Sequence, residues 1–304
     1  MLAIVLALAS AIGYGGSDFA AGLASRSASV IQVTLLASAV SALIVAAALP
    51  FAASPAPSTT ALAWGFVAGL GGTLGAFALY LGFRHAAFSV AGPISAVAAA
   101  GFSVLAGLLY GERPTALALT GIVLALPAIV GVSASAAAAS DEPAEPETTA
   151  GRQTTASGQT AASGRPAAGV VLGLVAGAFF ALLFIGLDRA GSGSGLWPVA
   201  ACAAGELAAA LAAAAATRAF RLAGFRSRRL AVITGTAAAA GTILFFFATH
   251  RGFLAVTAVL TSLYPAVTIV LARVMLGERL TALRLAGLGL AGACVTLIAL
   301  GGAS

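Results

Sequence analysis

The sequence predicts an all-α polytopic membrane protein with ten transmembrane helices arranged as two inverted five-helix repeats. Composition is the first reason. Of 304 residues 61% are apolar and only 8% charged, with mean hydropathy +1.07. So few charges could not cover a soluble domain of this size, whereas apolar helices suit a bilayer. The second reason is a copy of one segment within the chain. Gly111-Glu112-Arg113-Pro114-Thr115-Ala116-Leu117 returns as Gly277-Glu278-Arg279-Leu280-Thr281-Ala282-Leu283, and the register holds around both copies. Val90 matches Val256, Val104-Leu105-Ala106 matches Val270-Leu271-Ala272, and Gly121 matches Gly287. The third reason is that each half contains five apolar runs. Two copies of an odd-numbered unit must face opposite ways in the membrane, related by a pseudo-two-fold axis in its plane.

The runs are taken in order, each near the roughly 20 residues needed to cross ~30 Å of hydrocarbon. The first half has spans over 2–22, 30–51, 61–82, 88–110 and 115–135. The second has spans over 168–187, 196–217, 229–250, 254–276 and 282–301. Pro, Gly, Arg or acidic residues punctuate them, as at Pro55, Pro57 and Arg84-His85. Met1-Leu2-Ala3-Ile4 lacks a basic leader, so 2–22 is read as a retained span and not a signal peptide. Residues 136–167 are rich in Ser, Thr, Ala, Gly and Gln around Asp141-Glu142-Pro143-Ala144-Glu145-Pro146-Glu147. Such a segment cannot bury a core and reads as a disordered polar linker. It separates repeat 1–135 from repeat 168–304.

Small residues mark helix seams. Gly169, Gly173 and Gly177, then Gly65/Gly69 and Gly71/Gly75, have the spacing that lets backbones approach closely in lipid. Every basic residue apart from the two His is Arg, and pI is near 10.3. Nucleic acid binding is one explanation; Arg-rich cytoplasmic loops are the better one in a membrane chain. Arg26, Arg84, Arg152, Arg165, the Arg218–Arg229 group, Arg279 and Arg284 fall on one side, against Arg113, Arg189 and Arg251 on the other. Counted this way, both termini lie outside. Cys202 and Cys294 are isolated in apolar runs, with no CxxC or His/Cys cluster, which argues against metal and redox chemistry and for buried small hydrophobes.

The stretch Thr261-Ser262-Leu263-Tyr264-Pro265, an apolar run and Gly277-Glu278-Arg279-Leu280-Thr281 together resemble the signature of EamA-type transporters of the drug/metabolite transporter superfamily. Gly15-Gly16-Ser17-Asp18-Phe19 is similar to the start of the first repeat in one branch of it. The resemblance implies a ten-span carrier in which spans 1–4 and 6–9 surround a central cavity. It implies a small-molecule substrate, mostly exported, with many members thought to be proton-driven, and no cofactor. It also implies both termini inside, opposite to the Arg count. Tyr264-Pro265 aligns with Ala98-Ala99, so the first repeat lacks the helix-breaking pair and has Pro93 earlier.

Ionisable side chains at membrane depth are the candidates for the substrate and proton pathway, since burying one costs at least ~2.5–3.5 kcal/mol. Glu206 is mid-span with no local partner and must face a cavity or the bundle interior. A carboxyl there could exchange a proton during transport; the competing reading is a structural carboxyl bonded to a neighbouring helix. Asp18 follows Gly13, Gly15 and Gly16 and could face a ligand, sit among headgroups or pair with Arg26. Pro265 frees a backbone carbonyl, and broken helices at the midplane are where transporters bind. Thr261, Ser262 and Tyr264 adjoin it. Tyr14, Phe180 and Phe184 could line the same cavity or face lipid. His85 and His250 could relay protons or anchor at the interface, and Arg273 could snorkel or meet a carboxylate. Asp188-Arg189 reads as an interfacial ion pair, and Glu112-Arg113 and Glu278-Arg279 as bonds to neighbouring loops or helix ends.

The resulting expectation is a multi-pass protein of the cell membrane, inner or plasma, moving a small organic solute outward by alternating access, with the coupling ion, protons or other, left open along with oligomeric state. A structural or sensory membrane protein is the alternative. An enzyme is disfavoured by the absence of HExxH, GxSxG and paired carboxylates in a polar loop, and no phosphate loop for an ATP-driven pump is present.

Overall fold

A computed structural model describes residues 1–25, 27–51, 56–85, 88–138, 166–220, 224–276 and 282–301. Backbone amides in hydrocarbon have no water to bond, so long apolar runs become helices that satisfy those groups internally. In order these are α1 (Leu2–Ala24), α2 (Val30–Ala48), a 3-10 turn (Leu49–Phe51), α3 (Thr59–His85), α4 (Phe88–Leu109), α5 (Ala116–Ala138), α6 (Pro166–Arg189), α7 (Trp197–Thr217), α8 (Phe225–Thr249), α9 (Leu254–Thr261), α10 (Tyr264–Leu276) and α11 (Ala282–Gly301). No strand occurs among the described residues. Each expected span overlaps a helix, and the ninth overlaps two. The chain is a multi-pass membrane protein. Seven described segments are long and apolar enough to cross a bilayer: those of α1, α2, α3, α6, α7 and α8, and Leu254–Met275 across α9 and α10. Helices α4, α5 and α11 hold shorter apolar stretches. Most of the expected polar linker, and Gly277 to Thr281 of the second Gly-Glu-Arg motif, lie outside the described residues.

Local chemistry sets the helix ends. Ser29 and Gln32 form a reciprocal capping box at the start of α2, with bonds of 3.3 and 3.4 Å. Ser58 accepts from the Ala61 amide at 3.1 Å before α3. Thr115 accepts from the Ala118 amide at 3.2 Å at the start of α5 and donates to the Gly301 carbonyl at 3.0 Å, tying α5 to the end of α11. The break between α9 and α10 has the cause expected from the sequence. Pro265 offers no N–H to the Thr261 carbonyl four residues earlier and its ring crowds that carbonyl. The chain turns through Ser262 and Leu263 and restarts as α10, with the Ala266 amide donating to Leu263 at 2.9 Å. At the aligned place Ala98-Ala99 carries no such block, and α4 runs through unbroken.

Helix α1 packs on α8, α3 on both α6 and α7, α4 on α6, α5 on α11, and α2 between α7 and α8. Two apolar clusters hold the bundle together. One joins α1, α4, α5, α9 and α11 through Ile4, Ile122, Ile129, Leu260 and Ile298. The other joins α2, α6, α7, α8 and α9 through Val45, Leu187, Val199, Phe245 and Leu254. The α3–α7 seam depends on glycine. A methyl group at Gly69 would collide with the Cys202 carbonyl oxygen and lie 2.8 Å from the Glu206 amide nitrogen. Gly71 and Gly75 press instead on Phe179 and Phe180 of α6, and Gly177 presses on Ser95 and Ala98 of α4. These contacts place α3 tightly against α6 and against the α7 backbone around Glu206.

Candidate functional site

A cavity of about 180 Å³ lies within the bundle, lined by α1, α2, α3, α4, α6, α7, α8 and α10. Helix α1 presents Tyr14, Ser17, Asp18 and Ala21, spaced three and four residues apart so that they share one face. Helix α2 presents Val30, Thr34, Ser38 and Ser41 by the same rule. Helix α7 supplies Glu206, α6 supplies Phe180 and Phe184, and α10 supplies Tyr264 from its first position after the break. The lining runs from Glu206 to Ser25 and Val30 at the α1–α2 turn, so the cavity extends toward that end of the bundle. The same end carries Arg226, Arg228 and Arg229 at the start of α8, and Ser27 bonds Ser227 there at 2.7 Å.

Glu206 is half-buried. Its backbone carbonyl accepts from Thr73 at 3.3 Å, and its Oε1 faces the Cys202 thiol at 4.0 Å. A methyl group at Gly72 would sit 3.6 Å from Oε1, so the carboxyl lies over the bare backbone of α3. Asp18 is exposed into the cavity. Among the described residues neither carboxylate has an ion pair, and the long thiol contact is the only hydrogen bond to either. The Tyr14 hydroxyl lies 3.0 Å from Thr242 Oγ1. Thr242 spends its own proton on the Ala238 carbonyl at 3.0 Å, so Tyr14 is the donor. Tyr14 is within electrostatic reach of Asp18 and Glu206. The Phe184 ring is 4.6 Å from Phe245 and 6.5 Å from Tyr14, continuing an aromatic wall.

The cavity therefore unites Glu206, Asp18, Tyr14, Tyr264, Phe180 and Phe184. It does not include the other candidates. Thr261 is fully buried and donates to the Ala7 carbonyl at 3.4 Å. Ser262 is fully buried with its Oγ lacking a partner among the described residues, and Pro265 does not reach the lining. His250 follows the end of α8 and is not part of the lining, its Nδ1 2.7 Å from the Phe246 carbonyl. Arg273 is exposed in the last turn of α10. His85 is the final residue of α3, and its side chain lies outside the described residues. The small polar residues Thr34, Ser38, Ser41 and Thr73 were missed. Their signal was available as hydroxyls at helical spacing along one face of an otherwise apolar α2.

The opposite end is closed by polar contacts across the two halves. Glu112 accepts from the Leu254 amide and, at 2.9 Å, from the Ala255 amide, capping α9. Burial raises the Glu112 pKa above the usual carboxylate value, against the two amides, which lower it; nearby Asp188 adds to the rise. This is the helix-end bond expected of the Gly-Glu-Arg motif. Arg189 lies over the Tyr110 ring at 4.5 Å, and Asp188 accepts from Thr249 at 2.6 Å. The expected Asp188–Arg189 ion pair is thus replaced by two separate contacts, because neighbouring residues on a helix point apart. The Ser58 amide donates to Ser194 at 3.1 Å.

Residues 1–134 match the EamA-like transporter family. Tyr14, Asp18 and the α2 hydroxyls belong to this EamA-like segment, while Glu206, Phe180, Phe184 and Tyr264 enter the cavity from the rest of the chain. A solved structure described only as "Crystal structure of protein" is 16% identical, with a TM-score of 0.70 over 96% of this chain and 98% of that one. At that identity the likeness concerns the fold alone. No curated protein matches the sequence significantly.

Proposed function

We propose that this protein is a secondary active transporter that exports a small organic solute across the cell membrane by alternating access. Its working parts are two inverted five-helix units, 1–135 and 168–304, joined by the polar linker 136–167. The observation that carries the reading is the cavity itself, lined from both halves and holding the carboxylates of Asp18 and Glu206 on helices long and apolar enough to span a bilayer. Such groups are expensive to keep in a bilayer and mark solute or ion pathways. The helix pairings support a two-fold relation between the halves. Exchanging the halves turns the α1–α8 pairing into α6–α3 and returns the α2–α7 and α5–α11 pairings to themselves.

In this reading the cavity is open at the Arg-rich end and sealed at the other by Glu112, Arg189 and Ser194. Binding or release of a proton at Glu206 or Asp18 supplies the differential affinity that a driven change of state requires. Purified protein in proteoliposomes with an imposed pH gradient tests this, using counterflow of a labelled solute found by metabolite profiling of cells with and without the gene. Solute movement that follows the gradient is expected, and Glu206→Gln should change its pH dependence. Unchanged pH dependence in both Glu206→Gln and Asp18→Asn would remove proton coupling from the proposal. A cavity cysteine at Thr34 that no soluble thiol reagent reaches would remove the carrier.

A further inference from the structure

We infer that the cavity selects a small arylalkylammonium cation, its ammonium attracted by the carboxylates of Asp18 and Glu206 and its ring by Tyr14, Phe180 and Phe184. This rests on the carrier reading and adds the class of solute. Both carboxylates reach the cavity with no countercharge among the described residues, and no described lining residue is Arg or His. A carboxylate without a countercharge attracts a cation and repels an anion. The aromatic wall suits the rest of such a molecule. Ring faces attract an ammonium group and also pack on an aryl ring edge-to-face or offset.

Size narrows the choice. A cavity of about 150 Å³ holds one benzene ring. The 180 Å³ here admits one ring with a short amine tail. The α2 hydroxyls, Thr34 and Ser38 among them, offer acceptors to ammonium hydrogens that a carboxylate leaves free. An amino acid fits less well, because its carboxylate would find no cation in the described lining.

The experiment uses the full-length purified protein and labelled phenethylamine, with phenethyl alcohol and phenylacetate as neutral and anionic molecules of similar shape. Saturable phenethylamine binding is expected, with both competitors at least about tenfold weaker. Asp18→Asn and Glu206→Gln should each weaken binding about tenfold or more. A second measurement leaves both carboxylates intact. With cysteine at Thr34 and Cys202 and Cys294 replaced, a cationic methanethiosulfonate should label faster than an anionic one, and phenethylamine should slow it. Equal binding of phenylacetate, or equal labelling by the two reagents, overturns the cation proposal while leaving the carrier standing. Absence of labelling by either reagent overturns the carrier reading and this inference together.

Discussion

Replacing Glu112 with Ala removes both acceptors at the start of α9, the amides of Leu254 and Ala255. A hydrogen bond to a charged group contributes about 1.5–3 kcal/mol. Glu112 is half-buried, so water recovers part of that loss, leaving about 2 kcal/mol, the upper range for loss of a helix cap. Glu112→Gln keeps one acceptor and should cost about half as much. Because Cys202 and Cys294 are fully buried, a thiol-reactive fluorogenic dye reports unfolding with no added label. Melting of Glu112→Ala should fall by about 4 °C or more, and that of Arg113→Ala, an exposed neighbour, should stay near wild type. The raised pKa of Glu112 adds a pH signature. The folded protein holds this proton more tightly than the unfolded chain, so the contribution falls as pH rises through the shifted value. Glu112→Gln should flatten that dependence. If Glu112→Ala melts within about 1 °C of wild type, Glu112 does not hold α9 and the sealed end needs another explanation.

Other substitutions probe the packing that shapes the cavity. Gly69→Ala forces α3 off the Cys202 carbonyl and should lower the melting temperature by an overpacking cost of about 1–3 kcal/mol, whereas Gly16→Ala, with open space around it, should change little. Tyr14→Phe loses its bond to Thr242, about 1 kcal/mol, and should destabilise modestly in the same thermal assay. Phe184→Ala empties a buried site against Phe245 and should cost about 3–5 kcal/mol, read as a large melting shift or loss of folded protein on size exclusion.

How much of this was legible beforehand depends on the kind of interaction. Helix positions were legible because they are set within each segment by hydropathy and by punctuation such as Pro265. The glycine seam at Gly65 and Gly69 was legible as a seam, but its partner α7 was not. Glu206 was identifiable as a group needing polar surroundings, since its cost in hydrocarbon is a property of the residue. That Asp18 lines a cavity could not be read until α1 was set against α2 and α8.

The sequence by itself determined the all-helical membrane class, the repeated Gly-Glu-Arg segment and the break in the ninth apolar run, because each follows from chemistry within a few turns of chain. Only the tertiary structure decided that Tyr264 reaches the cavity while Thr261 and Ser262 turn into the packed interior. Helical spacing fixes which residues share a face, but that face acquires a role only when another helix, lipid or empty space lies opposite it. For Glu206 and Asp18 that neighbour is a shared hollow, assembled from helices far apart along the chain.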